Sequence, residues 1–273
     1  MSPVRIRTDS HLPNEADMLG TVEHKFRRSF NVLAQLRLFN FHVQPEMAHP
    51  LSVIVPQKLL DQVEIGSPIR IVSGHLRFGS SQYVIRRDLT PPNKGTLKSV
   101  IELRCVARLG ALLRQFGHFS EVTDAYLFDR HTSFSTSLKC VMAGLKAGSF
   151  SLLKVVDSFG GGEGLTPAWD DFCAGILLAD RCCDIPVVGI EDPFFRELFR
   201  RTTLTSFWNI WCAARGTSSM ILESFLSDLL VDRLKTLLFM RCIGLGHTSG
   251  TDMICGIHAR IRNEPFPIIE PRV

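Results

Sequence analysis

Three aspartates, Asp170, Asp171 and Asp252, stand just downstream of glycine-rich stretches, and their setting repeats. The first stretch reads Gly160-Gly161-Gly162-Glu163-Gly164-Leu165-Thr166-Pro167-Ala168-Trp169-Asp170-Asp171. The second reads Gly244-Leu245-Gly246-His247-Thr248-Ser249-Gly250-Thr251-Asp252. Both give Gly-x-Thr, then Asp, then an apolar helical pattern, with Gly175 and Gly256 each four residues past the aspartate. Carboxylates so placed can hold a divalent cation, orient an amide N–H2 or move a proton. Glycine loops that open helices present free backbone N–H groups at the positive end of the dipole, a setting for phosphate or carboxylate oxygens.

Asp171, Asp252 and His247 are therefore the candidate catalytic residues. Gly162, Gly164, Thr166, Gly246, Thr248, Ser249 and Gly250 are the candidate substrate-binding residues. Asp170 and Asp171 are candidate ligands for a divalent cation such as Mg2+. His247 has the right intrinsic pKa for an acid or base; its other reading is a hydrogen bond to the loop backbone. Glu163 would oppose an anion, so it is expected to face solvent or a metal. The plain alternative is two ordinary helix starts, capped by Thr166 or Thr248, with the aspartates complementing the dipoles. Capping needs no glycine one turn into a helix, where glycine costs about 1 kcal/mol relative to alanine. Thr202, Thr203 and Ser206 read as an N-cap or as substrate contacts. Cys173 and Cys255 read as packing, since no base lies near either in sequence. Neither loop ends in Gly-Lys-Ser/Thr, which excludes a Walker site, and no Rossmann-type strand precedes them.

GLTPAWDDFCAG and GHTSGTDMICG resemble the paired signatures of a bacterial domain-of-unknown-function family that includes AllH, a subunit of oxamate carbamoyltransferase. Arg201-Thr202-Thr203-Leu204-Thr205-Ser206 stands where that family has TT..S, and Ala168 and Trp169 stand where it has Ser and Gly. The resemblance implies a carbamoyltransferase component in purine degradation, acting on oxamate, carbamoyl phosphate or a related small anion, with other protein subunits as partners. The other class of function is a non-catalytic anion-binding or protein-interaction subunit. A stand-alone hydrolase lacks a nucleophile–base pair.

The elements that must position these residues follow from periodicity. Leu36 to Phe41, Leu51 to Val55, Ile69 to Val72, Leu76 to Phe78 and Tyr83 to Ile85 are short apolar runs between turn residues, which predicts a small antiparallel β domain or barrel. Thr90-Pro91-Pro92-Asn93-Lys94-Gly95 breaks that pattern and sets the expected boundary: a β-rich domain over 1–92 and a helical domain over 93–273. Helical spacing begins at Val100 and Leu103 and runs to Phe116, with Gly117 as the stop. It returns at Leu138 to Leu145, Phe194 to Phe199, Leu204 to Ala214, Ile221 to Leu230 and Leu234 to Met240; Leu152 to Val156 fits a helix or a strand. Pro265, Pro267 and Pro271 predict an extended tail. The fold class is α+β.

Composition bounds the rest. The 273 residues are 45% hydrophobic and 21% charged, which suits a globular chain with a sizeable core. The net charge of +4 is scattered, so nucleic acid is not an expected partner, and His24-Lys25-Phe26-Arg27-Arg28 reads as a solvated face. The eight cysteines include no C-x-x-C. With no apolar leader and no membrane-length apolar run, the expected location is the reduced cytoplasm.

Overall fold

Strand alternation sets the first architecture. In a computed structural model, which describes residues 3–7, 9–10, 17–92, 103–231 and 233–263, eight strands close into a barrel. They are β1 (Val4–Arg7), β2 (Met18–Lys25), β3 (Ser29–Ala34), β4 (Arg37–His42), β5 (Ser52–Ile54), β6 (Pro68–Val72), β7 (His75–Phe78) and β8 (Ser81–Leu89), with a short helix α1 (Gln57–Gln62) between β5 and β6. Met18, Gly20 and Val22 of β2 are buried while Leu19, Thr21 and Glu23 between them are exposed, the period-two pattern of a sheet with one dry face. Phe30 and Phe41 pair across β3 and β4 and stack with ring centroids 4.7 Å apart.

The order around the barrel is β1-β5-β4-β3-β2-β6-β7-β8. It is closed, and it is mixed: β4 with β5 and β1 with β8 run parallel, the remaining pairs antiparallel. Closure removes the exposed edges that an open sheet would leave. The segment Thr217–Ser224 belongs with this unit, which otherwise comprises Met1–Asn93. Arg7, wholly buried, holds it: its guanidinium donates to the Ser218 carbonyl at 2.6 Å, to Glu223 at 3.1 Å and to Asp9 at 2.7 Å. Phe26 to Arg28 form an exposed bend between β2 and β3, with Lys25 exposed at the end of β2 and His24 half-buried.

The second unit, Lys94–Gly216 with Phe225–Val273, is mainly helical. Its elements are α2 (Leu103–Phe116), α3 (Glu121–Phe128), α4 (Ser135–Lys146), β9 (Phe150–Ser151), a 3-10 stretch Leu152–Ser158, α5 (Ala168–Asp180), β10 (Val188–Gly189), α6 (Asp192–Arg201), α7 (Leu204–Ala213), α8 (Met220–Leu230, begun in the segment held by the barrel), α9 (Thr236–Ile243) and α10 (Ser249–Arg262). The α+β class stands as the periodicity predicts. Leu152 to Val156 resolves as 3-10 helix behind a two-residue strand that pairs parallel with β10. Asn93 to Gly95, Val100 and the tail with Pro265, Pro267 and Pro271 lie outside the described residues. None of the described helices is long and apolar enough to cross a membrane.

Two helices make the centre of this unit. Every residue of α5 from Trp169 to Asp180 is buried, and so is every residue of α10 from Gly250 to Ile261. A helix buried on all sides is a core helix. The two run parallel: Thr166 and Ser249 meet at their starts, at 2.7 Å, and Asp180 accepts from Arg260 at their far ends, at 2.6 Å. Gly175 and Gly256 make the close packing possible. A Cβ on Gly175 would stand 2.0 Å from the Met253 carbonyl oxygen, and one on Gly256 would stand 2.0 Å from that of Phe172. The contact is reciprocal, because each glycine faces the residue that follows the other helix's aspartate.

Candidate functional site

The repeated motifs come together because they open neighbouring parallel helices. The Thr166–Ser249 hydroxyl contact joins the two loops directly. Two more helix starts reach the same place. Ser120, the N-cap of α3, donates to Asp252 Oδ1 at 2.5 Å. Thr203, the N-cap of α7, donates to the Leu165 carbonyl at 2.5 Å, and its neighbour Thr202 donates to Asp170 Oδ2. The N-termini of α3, α5, α7 and α10 are thus tied together around Asp170, Asp171 and Asp252. Four positive dipole ends at one pole repel one another, and buried carboxyl groups offset that repulsion.

The three aspartates differ in what their oxygens do. Asp170 is full: Oδ1 accepts from the Gly160 amide at 2.9 Å and Oδ2 from Thr202. It fastens the first glycine loop to the start of α7. Asp171 and Asp252 each keep one buried oxygen, Oδ2, with no partner among the described residues. An unpaired polar atom in a dry place is costly, and a native fold keeps one for a reason.

Burial drives all three acids upward. It raises Asp170, against the bonds from Thr202 and Gly160. It raises Asp171 well above the usual carboxylate range, with the charges of Asp252 and Asp170 adding to the effect and the Ser249 and Thr166 hydroxyls opposing it. Asp252 is pushed up to about 7 by burial, against the Ser120 and Thr248 hydroxyls. Among the described residues no Lys, Arg or His bonds to Asp171 or Asp252, and no group of three or more His, Cys, Asp or Glu side chains is placed to hold a metal ion.

The remaining candidates divide between the pole and the scaffold. Thr166, Ser249 and Thr248 lie beside the acids. Gly162 and Gly164 hold left-handed backbone at φ +117° and +86°, and Gly246 does so at φ +62°. A Cβ on Gly164 would meet open space, whereas one on Gly250 would sit 1.9 Å from the Cys242 carbonyl oxygen, so Gly250 serves the packing of α10 on α9. His247 and Glu163 are exposed, and His247 makes no hydrogen bond among the described residues. Cys173 and Cys255 are fully buried, and burial pushes both thiols well up, which suits packing rather than nucleophilic attack. Trp169 stacks on Phe134 at 5.5 Å and 4° and leans on Phe172, so the core takes up its ring.

Sequence reasoning missed Ser120. The signal was there in Ser120-Glu121-Val122-Thr123, a capping box with threonine as the reciprocating residue: Thr123 N–H donates to Ser120 Oγ, and Ser120 N–H donates to Thr123 Oγ1 at 2.7 Å. The neighbouring His118 amide donates to Thr251 at 3.0 Å, which fixes the α2–α3 connection against the start of α10.

Residues 158–261 match the family model described as oxamate carbamoyltransferase subunit AllH, which bears out the resemblance carried by the two motifs. The matched segment holds both glycine loops, Thr202, Thr203 and the three aspartates, and leaves out Ser120. No curated protein and no solved structure matches the chain.

Proposed function

We propose, with the match over residues 158–261 as premise, that the chain is a component of a carbamoyltransferase-type system and that the pole of α3, α5, α7 and α10 is its site for oxamate, carbamoyl phosphate or a related small anion. One observation carries the reading: four helix starts converge on two buried carboxyl groups that each keep an unpartnered oxygen. Loop N–H groups with the Thr166, Thr248 and Ser249 hydroxyls suit the oxyanion end of such a ligand. Asp171 and Asp252 would orient its carbamoyl end. The family description names a subunit, so partner subunits belong to the proposal, as does a cytoplasmic location, which the eight free thiols favour.

The second reading is a subunit that binds a small anion or a protein partner without turnover. Both readings are tested by thermal melting with oxamate, carbamoyl phosphate and inorganic phosphate, with and without Mg2+. A ligand that binds only the native state raises the melting temperature by mass action. The first reading expects that rise with oxamate or carbamoyl phosphate, its loss in Asp171→Asn and Asp252→Asn, and carbamoyl transfer when partner subunits are added. A rise without transfer in the reconstituted system selects the second reading, and unchanged melting with every compound sinks the site.

A further inference from the structure

We propose that the outward face of α6 and α7 docks a protein subunit whose own surface is apolar and acidic. The inference rests on the reading above for the partner's identity and adds the surface that receives it. The inward positions of both helices already fill the core: Phe194 and Leu198 of α6 and Ile210, Cys212 and Ala213 of α7 are buried. The outward positions carry rings as well. Phe199 is 46% exposed, and Phe195, Phe207, Trp208 and Trp211 are half-buried. These five meet edge-on in one continuous chain: Phe207 lies 6.2 Å from Phe195 and 5.1 Å from Phe199 between ring centroids, Trp208 lies 5.2 Å from Phe207, and Trp211 lies 5.3 Å from Trp208. Packing of one helix on the other explains why the rings touch, but it does not require that they stay partly open. A single apolar side chain at a surface is ordinary; a contiguous set marks a place of contact. Aromatic residues and arginine are also what the centres of protein interfaces use most.

Charge selects the occupant. The Arg215 guanidinium lies 3.4 Å from the Trp211 ring centroid and donates to the Trp211 carbonyl at 2.9 Å. Exposed Arg196 stands one helical turn before Phe199 and Arg200. Among the described residues neither Arg196 nor Arg215 pairs with an acid. Arg200 is held by Glu197 at 3.3 Å and Arg201 by Asp157 at 2.7 Å, pairs at the surface that cost little to exchange. Asp192 sits at the start of α6, where the helix dipole already offsets its charge. The face therefore carries a surplus of positive charge beside its rings. A second copy of the chain would set those cations against each other, which slows encounter and costs affinity. Carboxylates of an acidic partner would pair with them, and Arg215, stacked on Trp211, is already held in a fixed pose. Of the five rings only Phe199 is exposed and the others interlock, so they form a platform for a shaped protein surface rather than a wedge for a bilayer.

The test mixes the full chain with the other subunits of an oxamate carbamoyltransferase, the assembly that the family description implies, and follows the complex by titration calorimetry. Phe199→Asp should weaken it at least about tenfold. Arg196→Glu should weaken it mainly by slowing association, read by stopped flow. Leu237→Asp, on α9 and 76% exposed, should leave it unchanged. All three positions are exposed, so circular dichroism and melting temperature should stay native. Trp169 is fully buried, so acrylamide quenching of the free chain reports on Trp208 and Trp211, and the complex should lose most of it. A complex indifferent to both Phe199→Asp and Arg196→Glu overturns the inference and leaves the proposed function standing. If the wild-type chain forms no complex, the inference falls together with the partner subunits proposed above. Self-association in sedimentation velocity that Phe199→Asp abolishes overturns it in favour of a second copy. Binding to vesicles of phosphatidylserine and phosphatidylcholine that the same substitution abolishes overturns it in favour of a membrane.

Discussion

At the scale of single residues, the two unpaired carboxyls give a signature in pH. Asp252 is raised from 3.8 to about 7 in the folded protein. An acid raised on folding favours the native state only while it stays protonated there. Between the unfolded and folded values the native state therefore binds more protons, and stability falls as pH rises. Relative to Asp252→Asn, the wild-type protein should lose stability from about pH 4 to about pH 7 and then level off, by up to about 4 kcal/mol. Half-buried His42 and buried His258, both lowered to about 4, act with the opposite sign and are common to both proteins. Urea melts of the pair across pH measure the difference directly, and a flat difference would mean that Asp252 is an ordinary solvated acid. Ser120→Ala removes the donor to Asp252 Oδ1 and should cost about 1 to 3 kcal/mol at pH 8. Ser120→Thr, which keeps the hydroxyl, should recover most of that loss.

At the scale of elements, the parallel pair of α5 and α10 stands on two missing side chains. Gly175→Ala or Gly256→Ala drives a Cβ into a backbone carbonyl, which cannot rotate away as a side chain would, and each should cost at least about 3 kcal/mol. Gly164→Ala meets open space and carries only left-handed strain, roughly 1 to 2 kcal/mol. A ranking in which Gly164 is the costlier site in denaturant melts would contradict the reciprocal packing. The sequence made this pair legible because Gly, Thr and Asp recur at fixed offsets, and most strands and helices because their apolar residues keep a period. It hid β1, whose four residues include two arginines, and β3, which is buried on both faces with Asn31 inside, bonded to Asn40 across the pair at 2.7 Å. It also hid α3, which buries Val122, Thr123, Ala125 and Leu127 but keeps little contrast between its apolar and polar faces. The start of α3 escaped notice for a related reason: a hydrogen bond between residues as far apart as Ser120 and Asp252 leaves no trace in local spacing.

At the scale of the whole molecule, each unit makes its own demand. Chemical access in the helical unit should be narrow: Cys140 is half-buried and the other cysteines are buried. A thiol reagent should therefore modify Cys140 first in the native protein and the rest only on unfolding. In the barrel unit, Arg7→Met leaves the Glu223 carboxylate buried without its guanidinium and should cost about 3 to 5 kcal/mol, with part regained when Glu223→Gln is added. A double-mutant cycle measures that coupling. The Arg7 clamp also bears on how the protein is made. Its two members lie 216 residues apart in sequence, and a ribosome adding roughly 5 to 20 residues per second needs on the order of tens of seconds to pass from one to the other. For that interval the nascent barrel carries a guanidinium whose buried partner has not yet been synthesised, so the barrel is completed only by a segment made long after its strands.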